Sequence, residues 1–275
     1  ERNRIYYKDL QSGGKVVELL NDFDAGYSFI GNQGPLFWFR TNLEAPRGRL
    51  IQIDTRRPQR DQWIELVPET RNTLRSVSAL NHSFVLSYLR DAHSYVEVRD
   101  LRGRKLRELD LPAIGSASGF GGRLEDQETF YHFSSYTEPG TIYQYALESG
   151  ESTIHWKPSI QLDSSAYETR QVFYSSRDGT SIPMFITFRK GLELDGKNPT
   201  LLYGYGGFNI PLTPGFSVSN AVWLKNGGVY AVANLRGGGE YGEEWHQAGM
   251  KSKKQNVFDD FSSAAKYLHE KGIGS

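Results

Sequence analysis

The sequence predicts a partial β-propeller of about three to four blades, followed by the opening of an α/β domain. Two observations carry this. Strand-forming segments recur with a period near 45 residues through the first half of the chain. The second half alternates apolar strands with glycine-rich loops and ends in an amphipathic helix.

The repeat shows in two independent series. Arg4-Ile-Tyr-Tyr-Lys-Asp-Leu10, Arg49-Leu-Ile-Gln-Ile-Asp-Thr55, Tyr95-Val-Glu-Val-Arg-Asp-Leu101 and Thr141-Ile-Tyr-Gln-Tyr-Ala-Leu147 align on Asp9, Asp54, Asp100 and Ala146, spaced 45, 46 and 46 residues apart. A second series, opening at Phe37, Phe84 and Phe130, keeps steps of 47 and 46. A third strand follows at Trp63–Val67, Leu106–Leu111 and Thr153–Trp156. Four short strands per period is the make-up of one propeller blade. The competing reading is an antiparallel sandwich with evenly spaced hairpins, and two series holding one period favour the propeller. The chain opens inside a blade, so about three blades are expected complete. Three do not close a ring, and the remaining blades are expected upstream or in another chain.

Composition changes near Pro158, which divides the chain into residues 1–159 and 160–275. Gln171–Ser176 and Ile182–Phe188 flank Asp178-Gly179 as a hairpin. Pro199–Tyr203 and Gly228–Leu235 read as buried strands, each running into a glycine-rich loop. Phe258, Phe261, Ala265 and Leu268 recur at helical spacing within Asn256–Lys271, and Gly272 is the stop signal. Asp259-Asp260 is expected to complement the dipole at the start of that helix. Gly115-Ser-Ala-Ser-Gly-Phe is expected to join strands of the repeat.

The bulk numbers exclude several classes. Lysine plus arginine and aspartate plus glutamate are 32 each, so no basic field argues for nucleic acid or an anionic membrane. There is no cysteine, hence no disulfide scaffold or thiolate metal site. No segment reads as a signal peptide or membrane span, and a cytoplasmic location is the expectation. No two of the six histidines sit at metal-ligand spacing, so neither a metal nor another cofactor is expected. Arg236-Gly-Gly-Gly-Glu-Tyr-Gly242 has neither phosphate-loop spacing, and Arg236 is expected to pair with Glu240 or Glu243. No Gly-x-Ser-x-Gly elbow is present.

The candidate chemistry lies in Tyr203-Gly-Tyr-Gly-Gly-Phe-Asn209. Glycine admits positive φ and close approach of backbone to a ligand. Tyr205 reads either as a donor to a developing oxyanion or as a buried tyrosine between turn glycines. Phe208 reads either as the wall of an apolar pocket or as core.

With Asn234-Leu-Arg-Gly-Gly-Gly-Glu-Tyr-Gly-Glu-Glu-Trp245 and Asn256-Val-Phe-Asp-Asp-Phe261, this motif resembles the prolyl oligopeptidase (prolyl endopeptidase) family, and the likeness runs over essentially the whole chain. The resemblance implies a propeller covering an α/β-hydrolase domain, with 160–275 as its N-terminal portion. It implies a serine peptidase cleaving short peptides after proline, Tyr205 as oxyanion donor and Phe208 as a wall of the substrate pocket. It places the nucleophile, acid and base beyond Ser275, so this chain alone is expected to be inactive; the full-length form is expected to be a monomer. Two alternatives stand beside it: an oligopeptidase B-like enzyme cleaving after basic residues, which the Phe208-Asn209 continuation disfavours, and a non-catalytic propeller that binds peptides or proteins.

Overall fold

The computed structural model describes residues 2–11, 13–160 and 162–274; the outer bounds of the two expected domains, Glu1 and Ser275, lie outside them. The first half is built of antiparallel sheets. Strands β1 (Ile5–Tyr7) and β2 (Val17–Leu20) pair alone. Three four-stranded meanders follow. They are β3 (Tyr27–Gln33), β4 (Leu36–Thr41), β5 (Arg49–Asp54) and β6 (Ile64–Val67); β7 (Thr73–Leu80), β8 (Ser83–Arg90), β9 (His93–Asp100) and β10 (Lys105–Glu108); and β11 (Ser116–Gly119), β12 (Glu128–Ser134), β13 (Thr141–Ala146) and β14 (Ser152–Trp156).

The series opening at Phe37, Phe84 and Phe130 is the second strand of these sheets and the other series the third, except that its first member, Arg4–Leu10, falls on β1 of the separate pair. Their alternation is strict where one face is buried: Thr141, Tyr143 and Tyr145 of β13 point inward, opposite Thr129, Tyr131 and Phe133 of β12. Tyr131 stacks between Phe120 and Tyr143 at centroid distances of 5.0 and 5.1 Å. Tight turns fix the register of the middle sheet. Asn81-His82 and Asp91-Ala92 all take positive φ, as a two-residue hairpin turn of the primed type requires. The segment Gly115–Phe120 is not a connection: its centre is β11, paired with β12 from Ser116↔Ser134 to Gly119↔Tyr131.

The second half forms one mixed sheet in the order β15 (Tyr167–Ser175), β16 (Ser181–Arg189), β18 (Val229–Ala233), β17 (Thr200–Gly204). The two inner strands are buried along nearly their whole length, which is why they read as unbroken apolar runs. Strands β17 and β18 are parallel, so the chain must cross over between them, and helix α1 (Val218–Lys225) does so. Helix α2 (Glu243–Gln247) is short. Helix α3 (Gln255–Glu270) ends where Gly272 turns to φ +64°, with Ile273 N–H donating to Leu268 O at 2.9 Å.

The face of α3 differs from expectation. Of the expected stripe only Leu268 is buried, with Val257, Asp260 and Ala264, whereas Phe258, Phe261 and Ala265 are exposed. The face is turned by about one residue because Asp260 is drawn inward by a cation.

The two halves share a core. Ala92 and Tyr136 from the first half pack with Phe185, Leu224, Tyr230 and Val232 of the second. The Tyr136 ring lies 5.8 Å from Phe185 and 5.7 Å from Tyr230. Polar contacts frame it: Ser116 Oγ donates to Pro214 O at 2.6 Å, and Tyr241 Oη to Asp91 Oδ1 at 2.8 Å. Truncating Phe185 to alanine should therefore cost about 3–5 kcal/mol of unfolding free energy, read by denaturant titration. A loss below about 1 kcal/mol, the range of an exposed site, would contradict a core shared by both halves.

Candidate functional site

Strand β17 ends at Gly204, and the chain turns sharply through Tyr205–Asn209. Gly206 is at φ +59°, and a Cβ there would meet Val257 Cγ1 at 2.5 Å and Arg236 O at 2.8 Å. No other residue fits. Lys254 Nζ donates to Gly206 O at 2.7 Å, and Ile210 N–H closes the turn onto Gly207 O at 3.0 Å. Tyr205 is 43% exposed, and its hydroxyl makes no hydrogen bond to a described residue. It is therefore no core residue. Phe208 is 83% exposed and held at φ +54°. A bulky side chain in the left-handed region is a strained arrangement, of a kind that concentrates at ligand sites. The two rings lie 6.5 Å apart.

The second glycine loop, at the end of β18, carries the first. A Cβ on Gly237 would lie 2.6 Å from Gly206 O, so the two loops meet backbone to backbone. Asn209 N–H donates to Gly237 O at 3.1 Å, and His246 Nδ1 lies 2.8 Å from the same oxygen. The loop is fixed from behind by Arg236. Its guanidinium does not reach Glu240 or Glu243, as the sequence suggested; it pairs with Asp260 at 2.6 Å and Asp178 at 2.5 Å. Asp260 is 0% exposed and Arg236 5%. Ser176 Oγ donates to Asp260 Oδ1 at 2.6 Å, and Arg236 N–H to Asp260 Oδ2 at 3.1 Å. Asp260 thus neutralises a buried cation rather than a helix dipole; α3 begins at Gln255, and its first turn holds no acid. Hydrogen bonding to Arg236 holds the Asp178 carboxyl well below its ordinary range. Burial alone would lower the Arg236 pKa, but its bonds to Asp260 and Asp178 outweigh that and raise it.

Glu240 is the buried acid of this loop. Its Oε1 accepts from Leu212 N–H at 2.9 Å and from Asn234 Nδ2 at 3.3 Å, while Oε2 has no partner. Desolvation pushes its pKa up to about 7, against the opposing pull of those hydrogen bonds and of Arg75. Its backbone carbonyl accepts from Thr73 Oγ1 at 3.0 Å, tying the loop to β7.

Between the halves lies a cleft of about 980 Å³. Tyr27, Arg40 and Arg75 line it from the first half, and Phe208, His246 and Lys254 from the second. Tyr205 stands beside it, on the same loop as Phe208 but not in its lining. Of the two residues singled out in the sequence, the structure brings both to one turn, with Phe208 in the lining of the cleft and Tyr205 outside it. Sequence reasoning missed Asp178, Asp260, Glu240 and the two arginines of the far wall. Only Asp260 left a local trace, a charge on the buried stripe of a helix. Among the described residues no cluster of three or more His, Asp and Glu could hold a metal ion.

Comparison with known proteins gives the same outline. Residues 1–158 match the family model of the prolyl oligopeptidase N-terminal β-propeller domain, and residues 214–275 that of the prolyl oligopeptidase family. The chain is 42% identical over 273 residues to a prolyl endopeptidase of Elizabethkingia miricola, covering 99% of this chain and 39% of that protein. It is 35% identical over 266 residues to a dual function macrocyclase-peptidase of Galerina marginata, covering 94% of this chain and 36% of the other. A solved prolyl endopeptidase chain superimposes with a TM-score of 0.92 at 42% identity, covering 100% of this chain and 40% of its own. The chain thus spans well under half the length of the relatives it matches.

Glu240 gives the site a pH dependence. As pH rises from about 4.5, the unfolded carboxyl loses its proton before the folded one, whose value is about 7. Stability falls across that window and the penalty is constant above it. Glu240→Gln should remove on the order of 2–4 kcal/mol of the decline between pH 4.5 and 8, read by denaturant unfolding at each pH. Equal declines in both proteins would show that this carboxyl does not stay protonated longer in the folded state.

Proposed function

Because the chain belongs to the prolyl oligopeptidase family, we propose that it is part of a serine-type oligopeptidase that hydrolyses short peptides on the carboxyl side of proline. Residues 1–159 contribute the propeller portion and 160–275 the start of the hydrolase domain. The attacking serine, its histidine and the orienting aspartate are supplied outside these 275 residues, and the chain alone is inactive.

The observation that supports this reading most is the Tyr205 phenol, without a hydrogen-bond partner among the described residues, on a turn that no residue but glycine can make at Gly206. A hydroxyl without a ground-state partner, on a backbone fixed from behind, is preorganised for charge that appears only in the transition state. As serine attacks the carbonyl that follows proline, that oxygen becomes an anion. The Tyr205 hydroxyl donates to it, together with one backbone N–H, while histidine takes the serine proton. Phe208, exposed at the cleft, offers a flat apolar wall for the pyrrolidine ring. The cleft lies between the halves, so propeller and hydrolase domain enclose the substrate and limit its length.

In the full-length enzyme, Tyr205→Phe should lower kcat on a succinyl-Gly-Pro reporter by about 10²–10³-fold. The unfolding transition should stay in place, since the lost hydroxyl has no partner among the described residues. An unchanged kcat would remove Tyr205 from the reaction, and cleavage after lysine or arginine instead of proline would overturn the specificity.

A further inference from the structure

Several buried or half-buried guanidiniums in this chain are paired with carboxylates. Arg236 pairs with Asp178 and Asp260, Arg99 with Glu97, and Arg49 with Glu65. The first half lines the cleft with four arginines that have no carboxylate within 4.0 Å among the described residues: Arg40 of β4 and Arg47 are half-buried, and Arg2 and Arg75 of β7 are exposed. Arg40 Nη1 donates to Leu74 O at 3.1 Å, and the Arg75 guanidinium donates to no described residue. Desolvation lowers the pKa of both; the charge of Arg75 adds to the lowering of Arg40, while the charge of Glu240 opposes that of Arg75.

The arrangement is aimed at the site. Arg75 Nη1 lies 3.2 Å from the point a Cβ on Gly239 would occupy, and the same point is 2.7 Å from Asn209 Oδ1. Asn209 Oδ1 is itself buried without a partner, one residue beyond Phe208. Lys254, on the same cleft, is already engaged by Gly206 O. Like charges lining one cleft favour a bound anion, and a guanidinium fork matches a planar carboxylate.

We propose that Arg40 and Arg75 form a carboxylate-binding pair that holds the C-terminal carboxylate of a short peptide on the propeller wall of the cleft. Every unmodified peptide carries that group whatever its sequence, so a fixed pair of cations selects for a nearby chain end. The inference rests on the peptidase reading for its ligand, and its test is separable from that reading.

Turnover of the succinyl-Gly-Pro reporter by the full-length protein tests the reading alone. The pair is tested by calorimetric binding of a Gly-Pro peptide whose bond after proline is reduced to CH₂–NH, made with a free or an amidated C-terminus. The free acid should bind about tenfold more tightly than the amide, as expected for a charge-assisted hydrogen bond. Arg75→Gln should shrink that ratio to under twofold, and Arg75→Lys should restore part of it, which a merely structural role would not do. Sodium sulfate should weaken the acid and leave the amide untouched. Equal affinities for acid and amide in the wild-type protein overturn the proposal without any variant. So does a preference that survives Arg75→Gln and Arg40→Gln, or sulfate that weakens both peptides alike, which would make the pair a site for free inorganic anions.

Discussion

The Arg236–Asp260 ion pair is the constraint around which the second half is arranged. Removing both charges from water is costly, and such a pair is retained only where geometry and added hydrogen bonds repay the loss. Here they do. Asp260 accepts from the Arg236 guanidinium, the Arg236 backbone N–H and Ser176 Oγ, so neither carboxylate oxygen is left idle. The guanidinium in turn reaches Asp178 in the β15–β16 turn. One side chain thus joins the end of β18, the middle of α3 and a hairpin. The Arg236 carbonyl lies against Gly206, and the next residue, Gly237, meets the Gly206 carbonyl. The position of the Tyr205 turn therefore follows from where Arg236 is held.

A second principle separates the walls of the cleft. Behind the glycine loops, charge is neutralised: cation meets carboxylate and the backbone is saturated. On the face opposite, Arg40 and Arg75 have no carboxylate within 4.0 Å among the described residues, although the charge of Glu240 acts on Arg75; Glu240 itself sits in the second glycine loop, buried with Oε2 unpartnered among the described residues. Interiors satisfy polar groups, and exceptions call for a reason. Asn209 Oδ1 and Glu240 Oε2, buried without a partner among the described residues, are such exceptions, one on each of the two glycine loops.

Much of this was legible in the sequence, and the rest was not for identifiable reasons. The Phe37–Phe84–Phe130 and Asp54–Asp100–Ala146 series mark the second and third strands of the four-stranded sheets because their residues recur at one register, whereas Asp9 follows β1 of the separate pair. The first strands escaped: Ser116–Gly119 is small and polar, and looks like a linker until paired with β12. Helix α1 escaped because its apolar and polar residues form no clear stripe, even though a parallel pair demands a crossover. Tyr205 and Phe208 were found from the glycines around them. Arg236 and Asp260 stand 24 residues apart, and Arg75 meets the Gly239 loop across more than 160 residues. Such pairings leave no local period. A local reading assigns the Asp259-Asp260 charges to the helix dipole and Arg236 to its nearest acids.

The most direct test of this arrangement is Asp260→Asn in the full-length protein, read both by denaturant unfolding and by kcat on the Gly-Pro reporter. The substitution keeps the shape and leaves Arg236 buried with only the half-exposed Asp178 to balance it. A loss of about 3–5 kcal/mol in unfolding free energy together with a fall in kcat is the expected result. Stability within about 1 kcal/mol of wild type and an unchanged kcat would mean that the Tyr205 turn is held by something other than this pair.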